Sequence, residues 1–173
     1  MTTYTTDAIV IKKIPSGEFD AMFTLYTEQF GKMNAKATGI QREAAKLKGH
    51  LEPLNHSAVQ FVLGKAGEKL THAMLIEYWP CIRRQMHCLQ TAQHILHLVD
   101  THCMGHEHDT RLWNIIIDHF ILLEKHGVSM DACRMVWSSF KKEFLASLGF
   151  RGATNLQILD HQSHMSQNTL SLN

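Results

Sequence analysis

No stretch of about 18 uninterrupted apolar residues occurs in the 173-residue sequence, so a membrane-spanning helix is not expected. The opening residues, MTTYTTDAIVIKK, lack the basic-then-apolar order of a secretory signal. The four cysteines (Cys81, Cys88, Cys103, Cys133) are scattered without a tight framework, which suits reduced thiols of a cytosolic protein. A phosphate-binding loop, a Gly-x-Ser-x-Gly elbow and a His-Glu-x-x-His pair are all missing. Asp118 and His119 are neighbours in a helical segment and so face different ways, while Cys133 falls at a core position. The chain is therefore expected not to be an enzyme, and nothing in it asks for a cofactor. Charge of one sign is scarce too, with 17 Lys+Arg against 16 Asp+Glu.

What charge there is lies unevenly. Residues 1–84 hold 11 Lys+Arg and 8 Asp+Glu, whereas residues 85–173 hold 6 and 8. An anionic partner would therefore meet the front half. Within it, FGKMNAKATGIQREAAKLKGHLEP (Phe30 to Pro53) gathers Lys32, Lys36, Arg42, Lys46 and Lys48 against only Glu43 and Glu52.

The apolar period changes near residue 80. Before it the pattern is β: DAIVIKKI, FDAMFTLYT, KMNAKATG, PLNHSAVQFVLGK and KLTHAMLIEYW read as five strands. In the third, Met33, Ala35 and Ala37 share one face and Lys32, Asn34, Lys36 and Thr38 the other. Five strands on short turns suggest a small antiparallel sheet or barrel. From Cys81 the spacing turns helical. Ile82, Met86, Leu89, Ala92, Leu96, Val99 and Cys103 form one stripe of a long helix. Asp109 or Thr110 can cap a second helix, Arg111–His126, whose apolar circumference makes it the central one. A third starts near Ser129 and stops at Gly149. The division expected is residues 1–80 as a β domain, 81–160 as an all-α domain, and 161–173 as a disordered polar tail.

The front half resembles the RecO family of bacterial recombination mediators. The shared elements are the Gly17-Glu18-x-Asp20 turn, a strand ending at Thr27, the Gly31-Lys32 pair, a small-residue strand closing on Gly39, and Lys48-Gly49-x-Leu51-x-Pro53 after a basic loop. LTHAMLIEYWPCIR is similar to the family's fifth strand and its entry into helices. The resemblance covers residues 6–84 well and the helical half only in order and kind. It implies an α+β chain, an N-terminal five-stranded antiparallel OB-fold barrel followed by an all-α helical domain, in the cytoplasm and associated with the nucleoid. The activity implied is non-specific binding of single- and double-stranded DNA, strand annealing and recombinase loading in repair and recombination. The partners implied are RecR, then RecF and single-strand-binding protein. Many members carry a four-cysteine zinc element after a segment like FLASLGF; here no cysteine follows Gly149, so that element and the last helices are expected to be missing.

Lys32, Lys36, Arg42, Lys46 and Lys48 are then the candidates for phosphate contact, with Arg83 and Arg84 in a second tier and Lys12 and Lys13 beside them. Composition alone would make them the solvated side of a barrel. Phe19, Phe23, Tyr26 and Phe30 sit at strand spacing and are expected in the core rather than stacked on bases. Thirteen histidines raise a rival, because DTHCMGHEHD brings His102, His106 and His108 together with Cys103 and two carboxylates. That spacing matches no known metal geometry, and no metal is expected there. A second functional reading is a protein-interaction module that tethers repair factors without DNA binding of its own.

Overall fold

The computed structural model describes residues 2–40, 47, 49–65, 67–105, 108–127 and 129–149. Arg42, Lys46, Lys48, His106 and residues 150–173, which include the expected tail 161–173, lie outside the described residues.

Five strands, β1 (Thr3–Pro15), β2 (Ala21–Thr27), β3 (Gly31–Ala37), β4 (His56–Gly64) and β5 (Gly67–Glu77), close a barrel in the order β1-β2-β3-β5-β4. Every pairing is antiparallel except β3 with β5, which is parallel. That order and that single parallel seam define the OB fold. The interior is narrow, so it mixes small with large residues: Ala8, Ala35 and Ala73 sit among Phe23, Leu25 and Phe61. The β2–β3 turn needs a left-handed residue, supplied by Gly31 at φ 64°. Thr27 Oγ1 secures it, accepting from Phe30 N and donating to Gly31 O.

A register shift in β1 between Val10 and Lys12 breaks the alternation. Before it Ala8 and Val10 belong to the barrel interior while Ile9 and Ile11 join the helical core; past it Lys12 and Ile14, opposite Thr24 and Met22, take the outer side directly after Ile11. Tyr26 of β2, paired with Ile9, also joins the helical core and stacks on Trp113 with ring centroids 6.4 Å apart. The barrel's outer wall is thus the floor of a second core built by helices.

Those helices are α1 (Pro80–Arg84), α2 (Met86–His102), α3 (Thr110–His126) and α4 (Met130–Ser147). Asp109 and Ser129 cap α3 and α4 by accepting from Leu112 N and Ala132 N. The expected single helix from Cys81 is instead two, because Gln85 is extended at φ −110°, ψ 117°. The cause is tertiary. Glu124 of α3 accepts from Cys81 N and Ile82 N and fixes the start of α1, while Arg83 ties the same turn to the barrel. Gln85 absorbs the change of direction, and Met86, placed on the apolar stripe by spacing, is exposed. The central position of α3 is as expected: Ile116, Phe120 and Leu123 are fully buried.

Candidate nucleic-acid interface

Cross-strand register places Ile14, Met22, Lys36 and Lys69 side by side at one end of the barrel's outer face. Alternation puts Lys36 outward while Ala35 and Ala37 are wholly buried, and Lys69 outward beside buried Leu70. At the opposite end of the same face the helices cover the wall, and Tyr26 is only 2% exposed. The Lys36 end is open: Lys69 is exposed, Ile14 is 54% exposed and the Lys36 side chain 42%. Asp20, in the β1–β2 loop, stands 2.9 Å from Lys36 Nζ and offsets part of its charge. Phe19 beside it is exposed, unlike Phe23 and Tyr26, which are buried as expected.

Two fixed stems flank residues 41–48. On the first, Gly39 N donates to Asp20 Oδ1 and Ile40 is buried in the barrel core. On the second, Leu51 plugs the barrel and Asn55, fully buried, donates from Nδ2 to Gly49 O at 2.9 Å. The imidazole of His50 accepts from Leu75 N, and its carbonyl accepts from Ser57 Oγ. The Gly-x-Leu-x-Pro part of the motif is therefore the bolt that fastens the second stem to the barrel.

Arg83 is part of that bolt. Its Nε donates to Tyr78 O at 2.7 Å, and its Nη2 donates to Pro53 O at 2.8 Å and to Asn55 Oδ1 at 2.7 Å. The guanidinium also lies 4.3 Å from the centre of the Tyr78 ring. Arg84 is exposed.

Lys32 is turned to the helices rather than to solvent. Its Nζ sits 2.8 Å from Asp100 Oδ1 and also donates to the Asp100 carbonyl, and Lys12 takes the other carboxylate oxygen. Burial pushes the Asp100 carboxyl up, but the hydrogen bonds and charges of Lys12 and Lys32 together outweigh it and hold the group below its ordinary value. Lys13 pairs with Glu52. A groove of about 480 Å³ between Lys12, Glu52, Leu54, Tyr78, Arg83 and His97 therefore has cations that already have partners.

Of the residues proposed as phosphate contacts, the fold brings Lys36 to an open face and engages Lys32 and Arg83 elsewhere. Lys69, which composition did not single out, becomes the neighbour of Lys36 only through the parallel β3–β5 seam. In the histidine-rich segment, His102 Nδ1 bonds back to Leu98 O and its ring meets Phe144 edge-on, while His108 Nδ1 reaches Glu28 O. Those two rings are thus taken up by different partners. The place at which the family's four-cysteine element would follow, after Gly149, lies outside the described residues; Cys81 is exposed, Cys88 and Cys133 are buried, and Cys103 is half-buried. No helix among the described residues is long and apolar enough to cross a membrane.

A closed OB barrel with one open basic end and a helical bundle on its wall defines the class, an OB-fold protein extended by a helical domain. Residues 1–79 match the family model described as Recombination protein O N terminal. The chain is 29% identical over 146 residues to DNA repair protein RecO of Geobacter metallireducens, covering 84% of this chain and 58% of the relative. It is 24% identical over 160 residues to DNA repair protein RecO of Acaryochloris marina, covering 92% of this chain and 54% of that one. Residues 1–79 place the front half with the RecO family, and the relatives extend that likeness over most of the chain. The chain spans about half the length of the relatives it matches.

Proposed function

We propose that this protein is a non-enzymatic repair and recombination factor that binds single- and double-stranded DNA through its backbone and promotes annealing and recombinase loading. The observation that carries the reading is the pairing of Lys36 with Lys69 on the uncovered end of the barrel, with Arg42, Lys46 and Lys48 following β3 in the sequence. Two cationic side chains on adjacent strands, one of them only partly offset by Asp20, attract an anion that lies along the seam. Phosphates supply such an anion every few ångströms along a strand. Contact of this kind ignores sequence and leaves base edges free, which annealing requires. The family match of residues 1–79 and the relatives' name, DNA repair protein, support the same direction. A RecR-type protein, and beyond it RecF and single-strand-binding protein, are the partners this reading carries, in a cytoplasmic, nucleoid-associated setting. Exposed Met86, Met130 and Met135 on the bundle suit a protein-contacting surface.

The test is fluorescence anisotropy of labelled single-stranded DNA across a salt series, comparing wild type with Lys36→Glu/Arg42→Glu/Lys46→Glu. The expected result is binding that weakens steeply with salt and is lost in the folded variant. Survival of binding in the variant would move the site to Arg84 and the bundle. Failure of the wild type to bind at low salt would leave a protein-tethering role in its place.

A further inference from the structure

The first turns of α2 and α4 meet over the C-terminal end of α3, and three metal-ligating atoms converge there. His87 Nε2, Cys88 Sγ and Cys133 Sγ all lie within 4.8 Å of one another, and the two sulfurs are 3.3 Å apart. Both thiols are buried, whereas His87 is half-buried and forms the side facing solvent. All three point at one oxygen, the Gly127 carbonyl, at 3.0 Å from His87 Nε2, 2.6 Å from Cys88 Sγ and 3.8 Å from Cys133 Sγ. Residue 127 must be glycine for this approach, since a Cβ there would stand 2.5 Å from Cys88 Sγ.

We propose that His87, Cys88 and Cys133 form a zinc site that clamps α2, α3 and α4 together, with the Gly127 carbonyl oxygen placed to complete it. One imidazole nitrogen and two thiolates are ligands that select a soft or borderline ion. With Zn–S near 2.3 Å, a tetrahedral site needs sulfurs about 3.8 Å apart and a sulfur-to-nitrogen edge of about 3.6 Å. The sulfurs would therefore part by roughly half an ångström, within what first-turn side chains reach by small rotations. Binding takes one Zn²⁺ and releases two protons, one from each thiol, to solvent. The Nε2 proton of His87 leaves its bond to Gly127 O and the neutral ring carries its proton on Nδ1 instead. Burial, then the hydrogen bond and charge of Cys133, raise the Cys88 thiol. Two buried thiols and a half-buried imidazole aimed at one point are more than a small-residue packing contact requires.

Cobalt(II) is the probe. The full chain, stripped with chelator and held reduced, is titrated with Co²⁺. One equivalent should produce visible bands of tetrahedral intensity and a near-ultraviolet thiolate-to-cobalt band, both erased by Zn²⁺, and Zn²⁺ should raise Tm. Cys88→Ser/Cys133→Ser should lose the spectrum and the Tm response. Should that variant fail to fold, His87→Gln keeps both buried thiols and should bind at least about 10-fold more weakly. Cys81→Ser/Cys103→Ser should bind as wild type does. A wild type without a thiolate–cobalt spectrum overturns the proposal. So does a spectrum that persists unchanged in His87→Gln, or one that disappears with Cys81 and Cys103.

Discussion

Lys32 Nζ, on the outer face of β3, sits 2.8 Å from Asp100 Oδ1 on α2, joining the barrel to the bundle across 68 positions of sequence. Lys12 holds the second carboxylate oxygen, so one acid satisfies two barrel lysines. Asp100→Asn should therefore cost about 1–3 kcal/mol of stability at pH 7, read as a lower Tm. The pH dependence has a definite sign. Because the folded carboxyl lies below its ordinary value of 3.8, the wild-type margin is full above that value and is lost as pH falls through the lowered one. DNA affinity should not fall in the variant, since it frees two cations.

Arg83 offers a way to separate a clamp from a phosphate contact. Its fork reaches the carbonyls of Pro53 and Tyr78 and the amide oxygen of Asn55 at once. A lysine keeps the charge but cannot reproduce that fork. Arg83→Lys and Arg83→Ala should thus both lose about 1–3 kcal/mol in chemical denaturation. A clamp predicts that Arg83→Lys destabilises nearly as much as alanine does; a phosphate contact predicts that lysine restores DNA binding with stability unaffected.

What the sequence made legible follows from what is local. The alternation of Lys32, Asn34 and Lys36 with Met33, Ala35 and Ala37 needs only the period of a strand, and the caps at Asp109 and Ser129 need only the first helical turn. The closed barrel and the bundle after it could be read in this way, helped by the family motifs. The extra residue at Ile11 could not, because a bulge changes which side chains face inward without changing the composition. Nor could the break at Gln85, where contacts from Glu124 and from the 53–55 stem override an unbroken apolar stripe. The site suffered most. Whether a lysine faces solvent or Asp100 is decided by a helix that begins over fifty residues later, and the Lys36–Lys69 pair exists only once β3 meets β5.

Two histidines should make the fold acid-sensitive well above the carboxylate range. Burial lowers His56, opposed by Asp7, Glu77 and Glu28, and burial with the nearby charge of His97 lowers His94. His56 meets Trp113 edge-on at 5.6 Å at the barrel–bundle junction, and His94 meets Trp137 at 5.6 Å. A folded value below the ordinary 6.5 means that the stability these rings contribute is full above 6.5 and erodes as pH falls below it. Tm should drop between pH 7 and pH 5, and His56→Gln/His94→Gln should flatten that slope. An equal slope in the variant would assign the acid sensitivity to other groups.

Lys69→Glu is the sharpest test of the open face, because strand register alone brings this residue to it. The side chain is exposed on β5, so the reversal should leave the unfolding free energy within about 0.5 kcal/mol of wild type, the usual range for surface substitutions. The charge it inverts is the one beside Lys36, and each phosphate contact removed lowers the salt slope of binding by about one. The expected outcome is uniformly weaker binding to DNA of any sequence, with a shallower dependence of log K on log salt. Lys65→Glu, at the exposed tip of the β4–β5 hairpin, should have a smaller effect, because it stands outside the pairing of Lys36 with Lys69. Equal losses from both reversals would point to general attraction by a basic surface. A loss confined to Lys69 would locate the phosphate track along the β3–β5 seam.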